Sequence, residues 1–255
     1  MIAQERFQAI SILLAKQQKL TVHELQRELE ISPATLRRDL TELEAAGKII
    51  RVRGAIVHPD YFRGEPTLMQ KSRVEIKPKR AMAKAAAELV PAKARVLLDA
   101  GSSCLEIARL LLPREDLTLI THSLPIAMMA HSNSAKVICI GGEVRSLSGA
   151  VVGSLALSWL RNLRADFAFV GASGLSKSEG ASTTELAEAA MKTEILQRAS
   201  TRVLVADAAK WEKPTSVNFA AWSDFEFWIT DGKLSKEELQ SVKKRGVKIL
   251  FRSSS

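Results

Sequence analysis

Seven short apolar runs alternate with longer helical patterns through the last two thirds of this 255-residue sequence. The runs are Val96–Leu98, Leu117–Ile120, Val137–Ile140, Phe167–Val170, Val203–Val205, Phe225–Ile229 and Val247–Phe251. A first helical pattern, Arg80 to Val90, precedes them. Buried parallel strands are apolar on both faces and are joined by helical crossovers. The alternation therefore predicts a Rossmann-like, mainly parallel α/β domain over residues 79–255.

Small and polar residues follow five of these predicted strands, at the strand ends where parallel sheets bind ligands. These candidate ligand residues are Asp99, Ala100, Gly101, Ser102, Ser103, Thr121, His122, Ser123, Gly141, Gly142, Gly171, Asp207 and Lys210. In the first loop Gly101 allows backbone N–H groups to approach an anion, and the two serines open a helix whose N-terminus favours phosphate. Such a loop is equally typical of a plain turn with a helix cap, so both interpretations stay open.

A later helical pattern adds two candidates, Glu185 and Lys192. Residues 182–185 open this helix, and Glu188 and Lys192 follow at i,i+4 spacing. That spacing suits a solvated ion pair as well as a ligand-binding lysine. Lys210 has the same two interpretations, because a lysine near a strand end can meet a phosphate or extend into solvent.

The first 50 residues predict three short helices. Apolar residues recur at helical spacing over residues 4–15. Thr21 is a good N-cap for a second helix, and Ser32 followed by Pro33 opens a third that ends before Gly47. Three short helices with a tight turn before the third predict a helix-turn-helix.

The third predicted helix has an apolar stripe of Leu36, Leu40 and Leu43, and an opposite face of small and basic residues. That face suits the DNA major groove, because small side chains permit close approach and arginine pairs bidentately with guanine. Residues 48–57 alternate apolar and basic side chains, which predicts a β-wing. The candidate DNA-binding residues are Thr21, Ser32, Pro33, Ala34, Thr35, Arg37, Arg38, Thr41, Arg51 and Arg53. Asp39 lies near the inner side of this helix, so we expect it to form an ion pair with an arginine of the same module. The alternative is a packing module with solvated arginines.

Charge and composition divide the chain. The formal net charge is +9, and residues 1–80 carry 15 Lys and Arg against 10 Asp and Glu. This excess predicts an anionic partner, and double-stranded DNA fits it. Residues 58–78 contain three prolines and show no sustained period, which predicts a connector. We therefore expect a winged helix-turn-helix over 1–58, a linker over 59–78 and the α/β domain over 79–255.

The remaining sequence features predict no secretion signal, no disulfide and no metal site. The N-terminus lacks the features of a signal peptide, and no apolar stretch approaches ~18 residues, so we expect a cytoplasmic protein without a membrane partner. Cys104 and Cys139 lie far apart in apolar contexts, which predicts two reduced core thiols rather than a disulfide. The remaining histidines stand singly, so no metal and no cofactor are expected.

A spaced pattern runs through the predicted N-terminal helices: Arg6-x3-Ile10-x3-Leu14, then Ser32-x2-Thr35-Leu36-Arg37-Arg38-Asp39-Leu40. It resembles the N-terminus of the DeoR-type bacterial transcriptional regulators. The resemblance implies that residues 21–42 form the helix-turn-helix and that Ser32, Thr35, Arg37 and Arg38 face DNA.

The strand-end loops are similar to motifs of the same family's effector domain, so the resemblance covers nearly the whole chain. The matching segments are Asp99-Ala100-Gly101-Ser102-Ser103, Thr121-His122-Ser123, Gly141-Gly142 with Gly149 and Gly153, and Asp207 with Lys210. His122 and Ala208–Ala209 depart from it, since asparagine and hydroxyl residues are more usual there. The resemblance implies a domain similar to ribose-5-phosphate isomerase that binds a phosphorylated sugar or related metabolite. It also implies a homo-oligomeric repressor, dimer or tetramer, of a sugar-catabolism operon, released by that effector.

The alternative function is a sugar-phosphate isomerase-like enzyme with an accessory nucleic-acid-binding module. Asp99, Asp166, Glu185, Asp207 and His122 could supply its acid and base. No paired-carboxylate or nucleophile–base spacing in the sequence assigns catalytic roles, so we predict a regulator and not an enzyme.

Overall fold

The computed structural model describes residues 3–17, 19–46, 48–52, 54–57, 66–232 and 234–251. The chain divides into two compact units, Met1–Gln70 and Lys71–Ser255. Within the described ranges, no helix combines the length and apolar character that crossing a membrane requires. Gly47, Arg53 and His58, which the sequence assigned to a helix end, the wing and the connector, lie outside the described residues.

Three helices and a three-stranded antiparallel sheet form the N-terminal unit. The helices are α1 (Ala3–Gln17), α2 (Val22–Leu29) and α3 (Pro33–Ala45), and the strands are β1 (Lys19–Thr21), β2 (Ile50–Val52) and β3 (Ala55–Val57). The strand order is β1-β3-β2, so β2 and β3 form the predicted wing. The pairing of β1 with β3 was not predicted, because a three-residue strand shows no readable period. The unit is a winged helix-turn-helix.

Local sequence determines where α2 and α3 begin. The Glu24 amide donates to Thr21 Oγ1 (3.1 Å), and the Thr21 amide donates to the Glu24 carboxylate (2.8 Å), which is a reciprocal capping box. Ser32 Oγ accepts from the Thr35 amide at 3.2 Å, and Pro33 is the first helical residue. Proline suits this position because the first amides of a helix have no intrahelical acceptor.

An apolar core and one ion pair hold the three helices together. Leu36, Leu40 and Leu43 are buried in this core, as the stripe predicts. Arg6 in α1 donates from Nε and from its terminal nitrogen to the Asp39 carboxylate of α3, at 2.6 and 2.9 Å. Asp39 is only 2% exposed. The prediction that Asp39 pairs with an arginine of its own module is confirmed, and the pair fixes α3 relative to α1.

Two helices lie where the sequence predicted a connector: α4 (Leu68–Arg73) and α5 (Ile76–Glu88). The second begins three residues before the predicted restart at Lys79. Pro78 was interpreted as the end of the connector, but it lies in the first turn of α5, where proline's missing N–H breaks no hydrogen bond.

A seven-stranded parallel sheet forms the centre of the C-terminal unit. The strands of this unit are β4 (Arg95–Leu98), β5 (Thr118–Thr121), β6 (Lys136–Cys139), β7 (Glu143–Arg145), β8 (Ala150–Val152), β9 (Ala165–Val170), β10 (Gly174–Ser176), β11 (Gly180–Thr183), β12 (Ala199–Val205), β13 (Val217–Ala220), β14 (Phe227–Thr230) and β15 (Lys248–Phe251). The sheet has the order β15-β14-β12-β9-β4-β5-β6. Its strands are the seven apolar runs, with ends shifted by up to four residues. From the neighbours β4 and β9, the connections run toward opposite edges of the sheet.

Helices cover both faces of this sheet. They are α6 (Ser102–Leu111), α7 (Leu124–Met128), α8 (Ser154–Arg161), α9 (Leu186–Gln197) and α10 (Lys236–Lys243), with 3-10 turns at Met129–Ser132, Ala208–Lys210 and Trp222–Asp224. Buried residues of α5 and α6 share one apolar cluster with the sheet, and those of α8 and α9 share the other. Neighbouring strand residues alternate between the clusters: Leu97 belongs to one, and Val96 and Leu98 belong to the other. The predicted α/β architecture is confirmed.

Two antiparallel elements of the C-terminal unit were not predicted: the β7–β8 hairpin and the small sheet β10-β11-β13. Their strands have only three or four residues, too few for an apolar run or an alternation to be recognised, and β10 and β11 are rich in small side chains. Gly174 and Gly180 explain this composition. A Cβ at these positions would lie 2.0 Å from the Lys213 carbonyl oxygen and 2.3 Å from that of Ala220. Close backbone approach therefore selects glycine there.

The two cysteines differ in burial. Cys104 is a buried free thiol of α6, as predicted. Cys139 is a free thiol too, but it is exposed, so its prediction as a core residue was wrong. It lies in β6, an edge strand of the sheet, and edge strands are covered less completely than central ones.

Candidate functional site

The face of α3 opposite its apolar stripe is open to solvent. The exposed candidates at its start and along it are Ser32, Pro33, Ala34, Arg37, Arg38 and Thr41, and Thr35 is half-buried. Within the described residues neither Arg37 nor Arg38 forms an ion pair. Two unpaired guanidinium groups on a helix with small neighbours are suited to phosphate or base-edge contacts.

The hydroxyl groups at the two helix caps differ in what they offer to DNA. Ser32 Oγ and Thr35 Oγ1 are 2.8 Å apart, so one donates to the other and one hydrogen is left for an outside acceptor. Thr21 Oγ1 donates to the Glu24 carboxylate at 2.8 Å. Because phosphate oxygens only accept, the Thr21 hydroxyl has no hydrogen left for DNA. The structure therefore makes Thr21 a helix cap.

Arg51 of the wing lies against the last turns of α3. Its terminal nitrogen donates to Thr41 Oγ1 at 3.3 Å and lies 4.0 Å from the Glu44 carboxylate. The Thr41 hydroxyl in turn donates to the Arg37 carbonyl at 2.9 Å. Such exposed pairs stabilise a fold by only ~0–1 kcal/mol, so Arg51 can exchange this partner for a phosphate. Arg53, its predicted companion, is outside the described residues.

In the C-terminal unit, the ligand candidates converge at the ends of β4 and β9. Asp99 follows β4 and is 1% exposed. Its carboxylate accepts from the Gly171 amide after β9 (3.0 Å) and from Lys192 Nζ of α9 (2.5 Å). Lys192 also donates to the Gly171 carbonyl at 3.1 Å. Connections diverge between these strands, and open α/β sheets bind ligands at the carboxyl ends of strands at such a position.

Lys192 is a buried residue, 5% exposed, and its ion-pair partner is Asp99. The interpretation of Lys192 as half of a solvated pair with Glu188 is therefore wrong. The Glu188 carboxylate instead accepts from Arg145 (3.0 Å) and from Ser148 Oγ (2.6 Å). Sequence spacing suggested a pair along one helix, whereas packing of that helix on the sheet gave each charge a distant partner.

The Asp99–Lys192 pair is charged inside the protein. Burial by itself would raise the pKa of Asp99, but Lys192 and His122 hold it below its ordinary value. Burial by itself would lower the pKa of Lys192, but Asp99 raises it above its ordinary value. At neutral pH the site thus contains a buried carboxylate and a buried ammonium.

His122 holds the first loop in place. The ring is 1% exposed, and Nδ1 lies 2.9 Å from the Val151 carbonyl, which can only accept, so Nδ1 carries a hydrogen. Nε2 lies 3.1 Å from the Ala100 amide and 3.1 Å from Asp99 Oδ1. Both ring nitrogens are engaged within the fold. His122 therefore positions the loop and has no free atom for a ligand.

Two further lysines and a second carboxylate lie at the same end of the sheet. Lys210 Nζ donates to the Ala172 carbonyl at 2.5 Å. Asp207 is 4% exposed and attracts both Lys210 and Lys79. Lys79 of α5, also 4% exposed, was not predicted as a site residue, since a lysine at the start of a predicted helical pattern gives no sign of burial. We term Lys79, Asp99, Lys192, Asp207 and Lys210 the strand-end cluster.

Positive charge exceeds negative charge around Lys210. Burial lowers the pKa of Lys210 to about 8, and the repulsion of Lys79, Lys71 and Lys192 acts in the same direction. Asp207 opposes these effects. A half-buried ammonium whose charged neighbours are mostly lysines gains from a bound anion.

The start of α6 adds neutral donors. Gly101 is the N-cap, and Ser102 and Ser103 form the first turn, 8% and 3% exposed. Among the residues described, neither serine hydroxyl has a hydrogen-bond partner. A Cβ at Gly101 would lie 3.8 Å from Asp99 Oδ2, so this turn adjoins the cluster.

Three polar candidates serve the fold. The Thr121 hydroxyl donates to the Leu98 carbonyl at 2.8 Å. Ser123 is the N-cap of α7, and its Oγ accepts an amide hydrogen at 3.4 Å. Glu185 is the N-cap of α9 and accepts from the Glu188 amide at 2.9 Å. Helix capping explains Ser123 and Glu185 without a ligand.

The glycines after β6 also have a structural explanation. Gly141 and Gly142 are exposed, and among the described residues no group lies within 4 Å of where a Cβ of Gly141 would be. At Gly142 a Cβ would lie 2.9 Å from the Val152 carbonyl oxygen of β8. The close approach of the hairpin therefore requires glycine.

The acid and base set expected of an isomerase is brought together only in part, since Asp99, His122 and Asp207 lie at one end of the sheet. Asp166 lies in the second position of β9 and pairs with Arg95 at the start of β4 (3.1 Å), at the opposite end of the sheet from Asp99. Glu185 caps a helix, and both nitrogens of His122 are occupied. Within the described ranges, no group of three His, Cys, Asp or Glu side chains could hold a metal.

Both units of the chain match families of known proteins. Residues 6–61 match the family model "DeoR-like helix-turn-helix domain", and residues 74–232 match "DeoR C terminal sensor domain". The "HTH-type transcriptional regulator GlpR" of Haloferax volcanii is 32% identical over 251 residues, covering 98% of each chain. The "Glycerol-3-phosphate regulon repressor" of Escherichia coli is 27% identical over 228 residues, covering 89% of this chain and 90% of that protein.

Among solved structures, ribose 5-phosphate isomerase A of Methanocaldococcus jannaschii matches with a TM-score of 0.40 and 20% identity, over 53% of this chain and 54% of that one. The family matches extend over both units, so DNA is the partner of the first and a small-molecule effector that of the second. The chain is a DNA-binding transcriptional regulator and belongs to the DeoR family.

Proposed function

We propose that this regulator represses a sugar-catabolism operon and that a phosphorylated sugar or related metabolite relieves repression by binding at the strand-end cluster. Residues 1–58 bind the operator, and residues 79–255 sense the effector and oligomerise. One relative is named "Glycerol-3-phosphate regulon repressor", and this name supports a small phosphorylated compound as the effector. The protein acts in the cytoplasm, where operator DNA and such metabolites meet.

The charge imbalance of the strand-end cluster is the observation that supports this effector class. The cluster contains three lysines and two aspartates, and Lys71 adds a further repulsion on Lys210. A phosphoryl group supplies the missing negative charge and strong acceptors for ammonium donors. The free hydroxyls of Ser102 and Ser103 and the N-terminus of α6 add neutral donors to such a site.

On the DNA side, we assign α3 to the major groove. Arg37 and Arg38 contact phosphates or guanine edges, and Pro33 and Ala34 permit close approach. Ser32 and Thr35 offer a hydroxyl hydrogen to a phosphate at the start of the helix. Arg51 of the wing adds a backbone contact.

A homo-oligomer, dimer or tetramer, places recognition helices in successive major grooves of a repeated operator. Effector and DNA then oppose each other through the geometry between subunits, and the coupling is reciprocal, typically ~1–3 kcal/mol. Equal effector affinity with and without operator DNA would contradict this mechanism.

We further propose that the domain senses its ligand without turnover. The side chains that an isomerase would need are used by the fold: Asp99 is bound to Lys192 and Gly171, and His122 to Val151 and Ala100. A general base needs an unoccupied atom within reach of a substrate proton.

Thermal unfolding of the full chain tests the effector class. Sugar phosphates are compared with the same sugars without phosphate, because a ligand that binds only the folded state stabilises it by RT ln(1 + [L]/Kd). We expect one phosphorylated compound to raise Tm and to remain unconverted. Turnover would instead support the isomerase, and stabilisation by unphosphorylated sugars alone would contradict the anion site.

A matched pair of variants localises the effect. Lys210→Met removes a half-buried ammonium of the cluster, and Lys177→Met removes an exposed one elsewhere in the same unit. The shift should be lost in the first variant and kept in the second.

A further inference from the structure

Lys79 holds the turn between α4 and α5. Its ammonium donates to the carbonyl oxygens of Lys71 and of Val74, the latter at 2.5 Å. Helical side chains lean toward the N-terminus of their helix, which carries this ammonium back over the preceding turn. Lys71 lies in the last turn of α4, whose carbonyls have no intrahelical partner, so Lys79 caps that helix.

The same ammonium belongs to the strand-end cluster. Asp207 attracts it, and its own charge repels Lys210. Its hydrogen-bond partners are neutral carbonyls, whereas Lys192 has the Asp99 carboxylate at 2.5 Å. Burial lowers the pKa of Lys79, although nearby carboxylates oppose the shift. Of its three hydrogens, two are used, and the third has no acceptor in the described part of the chain.

The turn that Lys79 caps is intrinsically weak. Glu75, between α4 and α5, has a φ of 52°, a left-handed conformation that costs free energy for a residue with a Cβ. With six residues, α4 is too short to be stable without tertiary contacts. Along the chain, this segment leads from the DNA-binding unit to the parallel sheet. A contact that holds the turn therefore governs how firmly the segment is structured.

We propose that Lys79 couples anion binding in the strand-end cluster to the stability of the α4–α5 turn. We term this role of Lys79 the latch. When a phosphoryl group enters, the Lys79 ammonium moves its hydrogen bonds from the carbonyls of Lys71 and Val74 to the anion, and α4 loses its cap. Ammonium–phosphate hydrogen bonds are stronger than those to neutral carbonyls, so the exchange is favourable. The inference rests on the proposed function, because it places the effector's phosphoryl group in the cluster.

Amide hydrogen exchange on the full chain tests the latch, with inorganic phosphate as the probe and sodium chloride at equal ionic strength as the reference. Two segments are followed, residues 68–76 at the turn and residues 99–105 at the start of α6. We expect phosphate to slow exchange over 99–105 and to accelerate it over 68–76 by about tenfold, the effect of losing a hydrogen bond to a charged group.

Variants separate the latch from the binding site. In Lys79→Met, exchange over 68–76 should be fast without phosphate and unchanged by it, while 99–105 keeps some protection. Lys84→Met removes an exposed lysine of the same helix and should behave as the unmodified protein. If Lys79→Met does not fold, Lys79→Gln removes the charge but keeps a donor, and it too should lose the phosphate response at 68–76.

Each result decides between the two proposals. Protection of 99–105 with unchanged exchange over 68–76 would overturn the latch and leave the proposed function intact. No response in either segment would contradict the anion site and the latch together. Slow exchange over 68–76 in phosphate-free Lys79→Met would overturn the latch alone.

Discussion

The two candidate binding regions are built in opposite ways. The DNA-binding candidates of α3 lie within residues 32–41, are mostly exposed, and bond to neighbours three or four positions away. Four residues of the strand-end cluster are buried and Lys210 is half-buried. The hydrogen bond between Lys192 and Asp99 joins residues 93 positions apart. Exposed charges contribute little to stability, so the DNA surface is separable from the fold. The cluster is part of the core, so ligand binding and stability are coupled there.

The largest effect that separates the two regions is expected from Asp99→Ala. Removing this carboxylate leaves Lys192 buried without a counter-charge, which typically costs about 3–5 kcal/mol. All four tryptophans lie between residues 159 and 228, so their fluorescence in urea follows the C-terminal unit. We expect a large fall in the midpoint of that transition.

Asp166→Ala is the matched control for this variant. Its partner Arg95 is half-exposed, so the loss should be below about 1 kcal/mol. Similar losses in both variants would show that the buried pair does not hold the sheet ends together. The cluster would then be no more coupled to stability than an exposed ion pair.

The next effect concerns DNA. Arg38→Ala should weaken specific operator binding by about 1–3 kcal/mol, the value of one good base contact, and leave the urea transition unchanged. Fluorescence anisotropy with a selected operator fragment measures it. Arg109→Ala, which removes an exposed arginine of α6, should leave operator affinity unaltered. A variant of Arg38 that also loses effector binding would show that the assigned surfaces are wrong.

Anion affinity should fall as pH rises above neutrality. The pKa of Lys210 is lowered to about 8, so its ammonium is protonated at pH 7 and mostly neutral at pH 9. Only the protonated form attracts an anion, and at pH 9 about one tenth of the lysine carries it. Sulfate is the best probe because its charge is constant over this range. Calorimetry should show Kd rising by up to about tenfold.

Lys210→Met should bind sulfate weakly at both pH values and show a flatter profile. Affinity that rises between pH 7 and 9 in the unmodified protein would be incompatible with an ammonium-based site.

The smallest effect distinguishes two helix caps. Thr21→Ala and Ser32→Ala each remove an N-cap and should destabilise the N-terminal unit by about 1 kcal/mol. Only Ser32→Ala should also weaken operator binding beyond this loss, because the Thr21 hydroxyl already donates to Glu24. Circular dichroism and anisotropy on both variants test this, and equal losses of DNA affinity would restore Thr21 as a contact.

Sequence reasoning succeeded where the controlling interactions are local. The N-caps Thr21 and Ser32 and the stripe of α3 were predicted because capping and amphipathic spacing involve residues three or four apart. It did not predict the burial of Lys79, the first residue of the expected α/β domain, or the β10-β11-β13 sheet, whose strands are short. Burial of a lysine and pairing of small residues depend on segments far away in the chain.

By itself the sequence determined the order and type of the main elements, since each apolar run and each capped helix is encoded within a few residues. The tertiary structure decided which strands are neighbours. Placing β9 beside β4 brought Gly171 to Asp99 and set Lys192 over both, and no local pattern specifies that adjacency. The physical reason is that strand order minimises the free energy of the whole packed sheet, whereas caps and periodicity act within a single element.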